Sequence, residues 1–326
     1  MAVAEEKISL LPDELIQESL SFLPTVDVVR TCLLLKCWRH MWYSVPTLSF
    51  SDEMTSFERF SRFVDSYIEH RNKIKELHIC LSSEEDEDDG FLLHYYALPK
   101  ALVNATHFTT LELEGVELDT SASRITFPSL KSLILRNVQL TDNTNNDVIS
   151  NFVLGCPLQK LILISCFNLK YNDLCLVSST IKFLQLKDIA DQVQLLQIEA
   201  KNLEFLELVD VHFDKVNFSG CKKILNLSFS YVCDSSSDLL VTELPLLENL
   251  TFNICSTLKD IKISSQKNKE TRDENGMVIK IDFSSHLPSF CYEASINLRI
   301  SIEPDMLTKR FIVLNRHENY DPKLTY

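Results

Sequence analysis

The sequence predicts an α/β chain. A short three-helix segment at the N-terminus is followed by a curved solenoid whose concave face is a parallel sheet. Three observations carry this. A template of the form apolar-x-x-Leu-x-apolar-x-x-apolar recurs, with small departures, eight times from Ile74 onward. Residues Ile8 to Pro46 are too apolar for a soluble tail and too few to fold well alone. Pro12, Pro24 and Pro46 divide that stretch into compact helical pieces.

The N-terminal pieces read in order. Pro12 suits the first helical position, where its missing N–H has no helical partner to lose. Asp13 and Glu14 then place negative charge at the positive end of the helix dipole. Leu11, Leu15 and Phe22 fall on one stripe, and Ile16, Leu20 and Leu23 on an adjacent one, a wide apolar arc for a short helix. Pro24 stops it. Thr25 or Asp27 caps a second helix carrying Val28, Val29, Cys32 and Leu33. A third carries Leu35, Trp38, Met41 and Trp42 and ends at Pro46. Three helices this apolar cannot bury every face against one another. The surplus either caps the following domain or forms an interface, where Trp is a common anchor. Residues 51–73 contain FERFSRFVDSYIEHR, an amphipathic helix with Phe57, Phe60, Val64, Tyr67 and Ile68 inward, which joins this segment to the first repeat.

The repeats start at Ile74, Phe108, Leu130, Leu158, Ile181, Leu203, Ile224 and Leu247, at intervals of 34, 22, 28, 23, 22, 21 and 23 residues. Most intervals fall within the roughly 20–29 residues of leucine-rich repeats. In Leu-x-Leu both apolar side chains point to one strand face. Stacked strands then bury a ladder that no single unit could bury alone. The long first interval holds the acidic run Glu84 to Asp89, a solvated loop. The returns between strands read as short and poor in helix pattern, except for a helix or helical turn around Asp147 to Leu154. Beyond about residue 258 the pattern weakens. Val278 to Phe283 reads as a further unit, Asn297 to Ile300 as a last strand, and 303–326 as an irregular cap or tail. The expected organisation is 1–50, 51–73, 74–302 and 303–326.

Several runs at the N-terminus resemble the plant F-box. They are Leu11 to Leu15 (LPDEL), Ser21 to Pro24 (SFLP), Asp27 to Thr31 (DVVRT), Lys36 with Trp38, Arg39 and Trp42, and Val45 to Phe50 (VPTLSF). The Gly155-Cys156-Pro157 corner is similar to a turn that precedes strands in plant F-box repeat proteins. Cys37 departs from the usual Arg, and Ser19 stands where a more apolar residue is common. The resemblance implies a substrate-recognition subunit of an SCF-type E3 ubiquitin ligase. Its partners would be a Skp-type adaptor, through it a cullin, and a protein target. The family's adaptor-binding anchors map onto Leu11, Pro12, Ile16, Leu20, Leu23, Val28 and Trp38.

The residues flanking each Leu-x-Leu pair face the concave surface. There Ile134, Ile162, Ile164, Phe183, Phe205 and Val209 form an apolar group, the expected target-binding site. Related hormone receptors hold an inositol phosphate with a dense basic cluster. Here only Arg136, Lys160 and Lys187 share the face with Glu112, Glu114 and Glu207, so no such cofactor is expected. No GxSxG, HExxH, GxGxxG or CxxC pattern occurs, so no catalytic residues and no metal are expected. A net charge of −14 opposes nucleic acid and anionic membranes as partners. The acidic N-terminus lacks a signal-type apolar region, and no apolar run is long enough for a membrane span. The 10 Cys, scattered among apolar positions, suit reduced thiols in the nucleus or cytoplasm. The alternative is a non-catalytic repeat scaffold or inhibitor whose F-box-like segment serves only as a cap; the acidic loop would then favour a basic partner.

Overall fold

The structure is a computed structural model of the 326-residue chain. It describes residues 11–34, 38, 41–51, 56–68, 74–81, 95–99, 102, 106–119, 127–141, 149, 153, 155–166, 173–189, 193–218 and 220–231, and beyond 232 residues 244 and 246 with the strands named below. The chain divides into two compact units, residues 1–143 and 144–326.

The first unit contains α1 (Asp13–Ser21), α2 (Thr25–Leu34), a 3-10 turn (Met41–Ser44), β1 (Thr47–Ser51), α3 (Phe57–Ile68), β2 (Glu76–Cys80), β3 (Tyr96–Ala97), β4 (Thr110–Glu114), β5 (Val116–Asp119), β6 (Ser132–Arg136) and β7 (Gln139–Thr141). Pro12 is the N-cap of α1 rather than its first helical residue, which is Asp13, and its carbonyl accepts the N–H groups of Leu15 and Ile16 at 3.1 and 3.2 Å. Pro24 does the same for Asp27 and Val28 at the start of α2. The expected caps act otherwise. Asp27 pairs with Arg30 at 3.2 Å. Thr25 is buried, and its hydroxyl accepts the Ser49 N–H of β1 at 2.8 Å. The third helix is seen only as Trp38 and the 3-10 turn; residues 35–37 and 39–40, Cys37 included, lie outside the described residues.

The sheet of this unit begins at Thr47, earlier than the expected residue 74. Strand β1 pairs parallel to β2 with Leu48 opposite Leu77 and Phe50 opposite Ile79. Val45, Leu48 and Phe50 repeat the spacing of the later units, and all three are buried. Helix α3 is the crossover that parallel neighbours require. Phe60, Val64 and Ile68, four apart, are its buried stripe, while Phe57 and Tyr67 are half-buried. Strands β2, β4 and β6 continue the pairing in register, Leu77–Leu111–Leu133 and Ile79–Leu113–Leu135. A second parallel sheet is formed by β3, β5 and β7.

The second unit contains β8 (Lys160–Ile164), β9 (Asp173–Ser178), β10 (Phe183–Lys187), β11 (Val193–Ala200), β12 (Phe205–Val209), β13 (His212–Asn217), β14 (Asn226–Ser230), β15 (Cys233–Asp234), β16 (Asp238–Thr242), β17 (Asn249–Asn253), β18 (Asp260–Ser264), β19 (Met277–Ile281), β20 (Ser289–Glu293), β21 (Leu298–Ser301) and β22 (Phe311–Asn315). Strands β8, β10, β12, β14, β17, β20 and β22 pair parallel in that order. The returns, expected to be short and poor in helix pattern, contain strands that the sequence reading did not place: β9, β11, β13 and β15 make a second parallel sheet, and β16, β18, β19 and β21 a third. Strands β9 and β11 follow from the alternation of buried Leu174 and Leu176, and of Leu196, Ile198 and Ala200. Strand β21 fits the last strand expected at 297–300, but β22 lies in the stretch expected to be irregular. The helical turn expected around Asp147 to Leu154 falls mostly outside the described residues; Ile149 and Val153 within it are buried.

One residue after each of six consecutive concave strands has a positive φ: Gly115 (66°), Asn137 (48°), Ser165 (48°), Asp188 (46°), Asp210 (51°) and Tyr231 (54°). This left-handed corner turns the chain off the sheet. The next residue, as Val116, Val138, Cys166, Ile189 or Val211, then enters the core. Corner amides bond to the neighbouring strand, Asp188 N–H to Val209 O at 3.0 Å and Asp210 N–H to Ser230 O at 2.8 Å. Gly and Asn or Asp adopt this conformation at less cost than a bulky residue such as Tyr231. Gly115→Ala should lower the thermal midpoint, because its Cβ would sit 2.6 Å from Leu81 Cβ at that φ. Tyr231→Asn should raise stability by about 1 kcal/mol. Thermal denaturation of the two variants checks both signs.

Candidate functional site

The N-terminal segment has a core of its own. Ile16, Leu20, Val28, Cys32 and Val45 are buried together, with Trp38, Met41 and Trp42 packed against them. Trp42 also reaches α3, its ring 5.1 Å from that of Tyr67, and Phe63 and Tyr67 flank Phe50 of β1 at 5.8 and 6.3 Å. Three of the seven expected anchors, Ile16, Leu20 and Val28, therefore face inward. Trp38 is half-buried on the same core, and its indole N–H has no partner among the described residues.

The outer side is where the segment departs from an ordinary small core. Leu11 (44%), Leu15 (49%), Phe22 (81%), Leu23 (39%) and Leu33 (70%) are large apolar side chains left to solvent, and Pro12 is exposed beside them. Leu23 was expected on the stripe of Ile16 and Leu20. Because α1 ends at Ser21, Leu23 sits on the turn and is exposed. Leu15, Phe22 and Leu33 were not among the expected site residues; the Leu11–Leu15–Phe22 stripe was the signal for the first two. Ser19 also faces solvent, its hydroxyl donating to Leu15 O at 2.8 Å.

The concave strands of the first unit carry a polar network. Glu112 accepts from Arg136 and from His78, the latter with Nδ1 at 3.0 Å. His78 Nε2 lies 4.0 Å from Glu76, and Thr47 donates to Glu76 at 3.2 Å. Cys80 Sγ donates to Glu114 at 3.3 Å. Burial alone would raise the Glu112 pKa, but the hydrogen bonds from Arg136 and His78 outweigh it and hold the carboxyl below its ordinary value. Ile134, beside Glu112, is buried and is not a free contact surface.

The concave strands of the second unit are less charged. Phe183 and Phe205 lie directly opposite in register and stack, centroids 4.3 Å apart and planes 3° from parallel. Lys160 Nζ lies 5.5 Å from the Phe183 centroid. Ile162 is buried, whereas Ile164, Phe183, Phe205 and Val209 are half-exposed. Of the six expected target residues, these four remain accessible on one unit. Among the described residues no group of three or more His, Cys, Asp or Glu is placed to hold a metal, and no helix is long and apolar enough to cross a membrane.

A short apolar helical segment joined to in-register parallel strands at leucine-rich-repeat spacing defines a repeat protein with an N-terminal helical segment. The family model for the leucine-rich repeats of FBD-associated F-box protein At5g56370 matches residues 69–224. F-box/LRR-repeat protein 25 of Arabidopsis thaliana is 30% identical over 233 residues, covering 64% of this chain and 87% of that protein. The chain belongs to the plant F-box/leucine-rich-repeat proteins. F-box/FBD/LRR-repeat protein At1g51370 of the same plant is 26% identical over 90% of this chain and 70% of its own length. Its relative At5g56420 of the same printed class is 31% identical over 51% of this chain. The chain spans 45% of At5g56420 and 63% of another such relative, less than two thirds of each. No solved structure matches.

The lowered Glu112 pKa has a consequence with a definite sign. A depressed carboxylate stabilises the fold above its unfolded value, near 4.5, and that contribution disappears as pH falls through the folded value. Glu112→Gln should therefore be less stable than the parent at pH 7, with the gap closing in acid. Urea titrations across that range measure it.

Proposed function

We propose that the chain is the substrate-recognition subunit of an SCF-type E3 ubiquitin ligase, acting in the nucleus or cytoplasm. The N-terminal segment binds a Skp-type adaptor and, through it, a cullin. The repeats hold a protein target. One observation carries the reading: a segment that already has a closed core leaves Leu11, Leu15, Phe22, Leu23 and Leu33 exposed. Isolated exposed apolar residues are ordinary, but five large ones on two short helices and their turn mark an interaction surface. In this reading Leu11, Pro12 and Leu23 touch the adaptor with Leu15, Phe22 and Leu33. Ile16, Leu20, Val28 and Trp38 hold them in position. The subunit supplies proximity rather than reacting groups, and proximity alone lowers the barrier of a two-component transfer substantially.

A scaffold whose N-terminal segment is only a cap is favoured by the Thr25–Ser49 bond and the Trp42–Tyr67 contact. Those contacts use the inner side of the segment. They leave the exposed outer side without a role, so the ligase reading accounts for more of the segment.

Co-purification of the full chain with a Skp-type adaptor tests the proposal. Both Leu11 and Pro12 are exposed, so Leu11→Ala/Pro12→Ala should leave the fold intact. If the pair is a hot spot, the double variant should lose about 2 kcal/mol of affinity, roughly thirtyfold. Equal retention of the adaptor by parent and variant would count against it.

A further inference from the structure

The concave side chains of β8, β10, β12 and β14 have a charge balance opposite to that of the chain. The chain carries 46 Asp and Glu against 32 Lys and Arg. The concave side of β2, β4 and β6 follows that bias, with Glu76, Glu112 and Glu114 against Arg136. On β8 to β14 the same rows hold Lys160 and Lys187 against Glu207 alone. Neither lysine forms an ion pair among the described residues: Lys160 lies against the Phe183 ring and Lys187 is exposed. The nearby Lys182 is neutralised by Glu204 at 3.3 Å, which shows that carboxylates are within the sequence's reach where pairing is the outcome.

Each of the two unpaired lysines has apolar side chains beside it in its own row. Lys160 shares a row with the Phe183–Phe205 stack, and four residues further along Lys187 lies between half-exposed Ile164 and Val209, with Gln185 and Glu207 in the row between. We infer that this face receives a protein segment in which an apolar side chain is flanked by carboxylates. The apolar residue rests on the phenyl edges, and the carboxylates pair with Lys160 and Lys187. A free polyphosphate fits less well: it needs several charge-assisted contacts, and phenyl rings offer it none. The charge pairing would set partner choice and encounter rate, and the phenyl contacts the lifetime of the complex. This deepens the proposed function by naming the chemistry of the target.

The test uses the full chain and two pools of short synthetic peptides with the same Leu or Phe centre, one flanked by Asp and Glu, the other by Lys and Arg. Fluorescence anisotropy should show the acidic pool binding at least about tenfold tighter. Replacing its central residue by Ser should cost about as much. Lys160→Glu/Lys187→Glu alters only side chains outside the buried ladder and should reverse the preference. Equal binding of the pools, binding of neither, an unchanged preference in the double variant, or tighter binding of tripolyphosphate than of the acidic pool would each overturn the inference. Adaptor retention measured on the same preparations separates the two readings. Peptide preference without adaptor binding defeats the ligase assignment and leaves this one standing, and the converse defeats this one alone.

Discussion

Everything in this chain depends on parallel strands stacking in register, one repeat to a rung. Leu184 of β10 lies opposite Leu161 on one side and Leu206 on the other, and Leu186 opposite Leu163 and Leu208. Each is sealed from water by its neighbours rather than by its own repeat. Removing one such Leu side chain from a core costs about 2–5 kcal/mol, a large part of the stability of an ordinary domain. A slip of one residue would turn the whole ladder to solvent. The spacing of apolar positions is therefore kept even where every other position differs between repeats.

The same register places the polar and aromatic side chains of the sheet face. Side chains between the buried ones form rows across the strands, so a residue's partners come from adjacent repeats. Glu112 meets His78 and Arg136 this way, and Phe183 meets Phe205. The corner after each strand is equally fixed, because the chain must leave the sheet at the same point to return its next apolar residue to the core. At the N-terminal end, β1 has only one strand neighbour among its pairings. The Thr25 hydroxyl takes one of its outward N–H groups, and Trp42 packs on the crossover helix. Among the described residues, these contacts of the N-terminal segment with the first strand and the crossover helix use its inner side.

Much of this was legible from the residues. Leu-x-Leu fixed the strands and their inward faces, because a two-residue period has one solution once one face must be buried. The first rung, Val45 to Phe50, was read as the tail of the F-box, since its Pro46 and its place after Trp42 suited that segment equally well. The back strands were missed because Leu174-x-Leu176 and Leu196-x-Ile198 are short alternations between turns, a weaker signal than the repeat itself. Burial of Ile134 and Ile162 could not be read, because cover from adjacent rows is a tertiary property. At the N-terminus the stripe of Leu11 and Leu15 was visible. Which of the two adjacent stripes faced inward depended on where the Val45 end folded back.

In the ligase reading, the outer side of α1, α2 and their turn is a surface that a partner covers. Hydrogen–deuterium exchange on the full chain, alone and with a Skp-type adaptor, reads this directly. Added protection is expected over Leu11 to Leu15 and Phe22 to Leu33, with the concave strands unchanged. Protection confined to the strands, or no change anywhere with adaptor in excess, would contradict it.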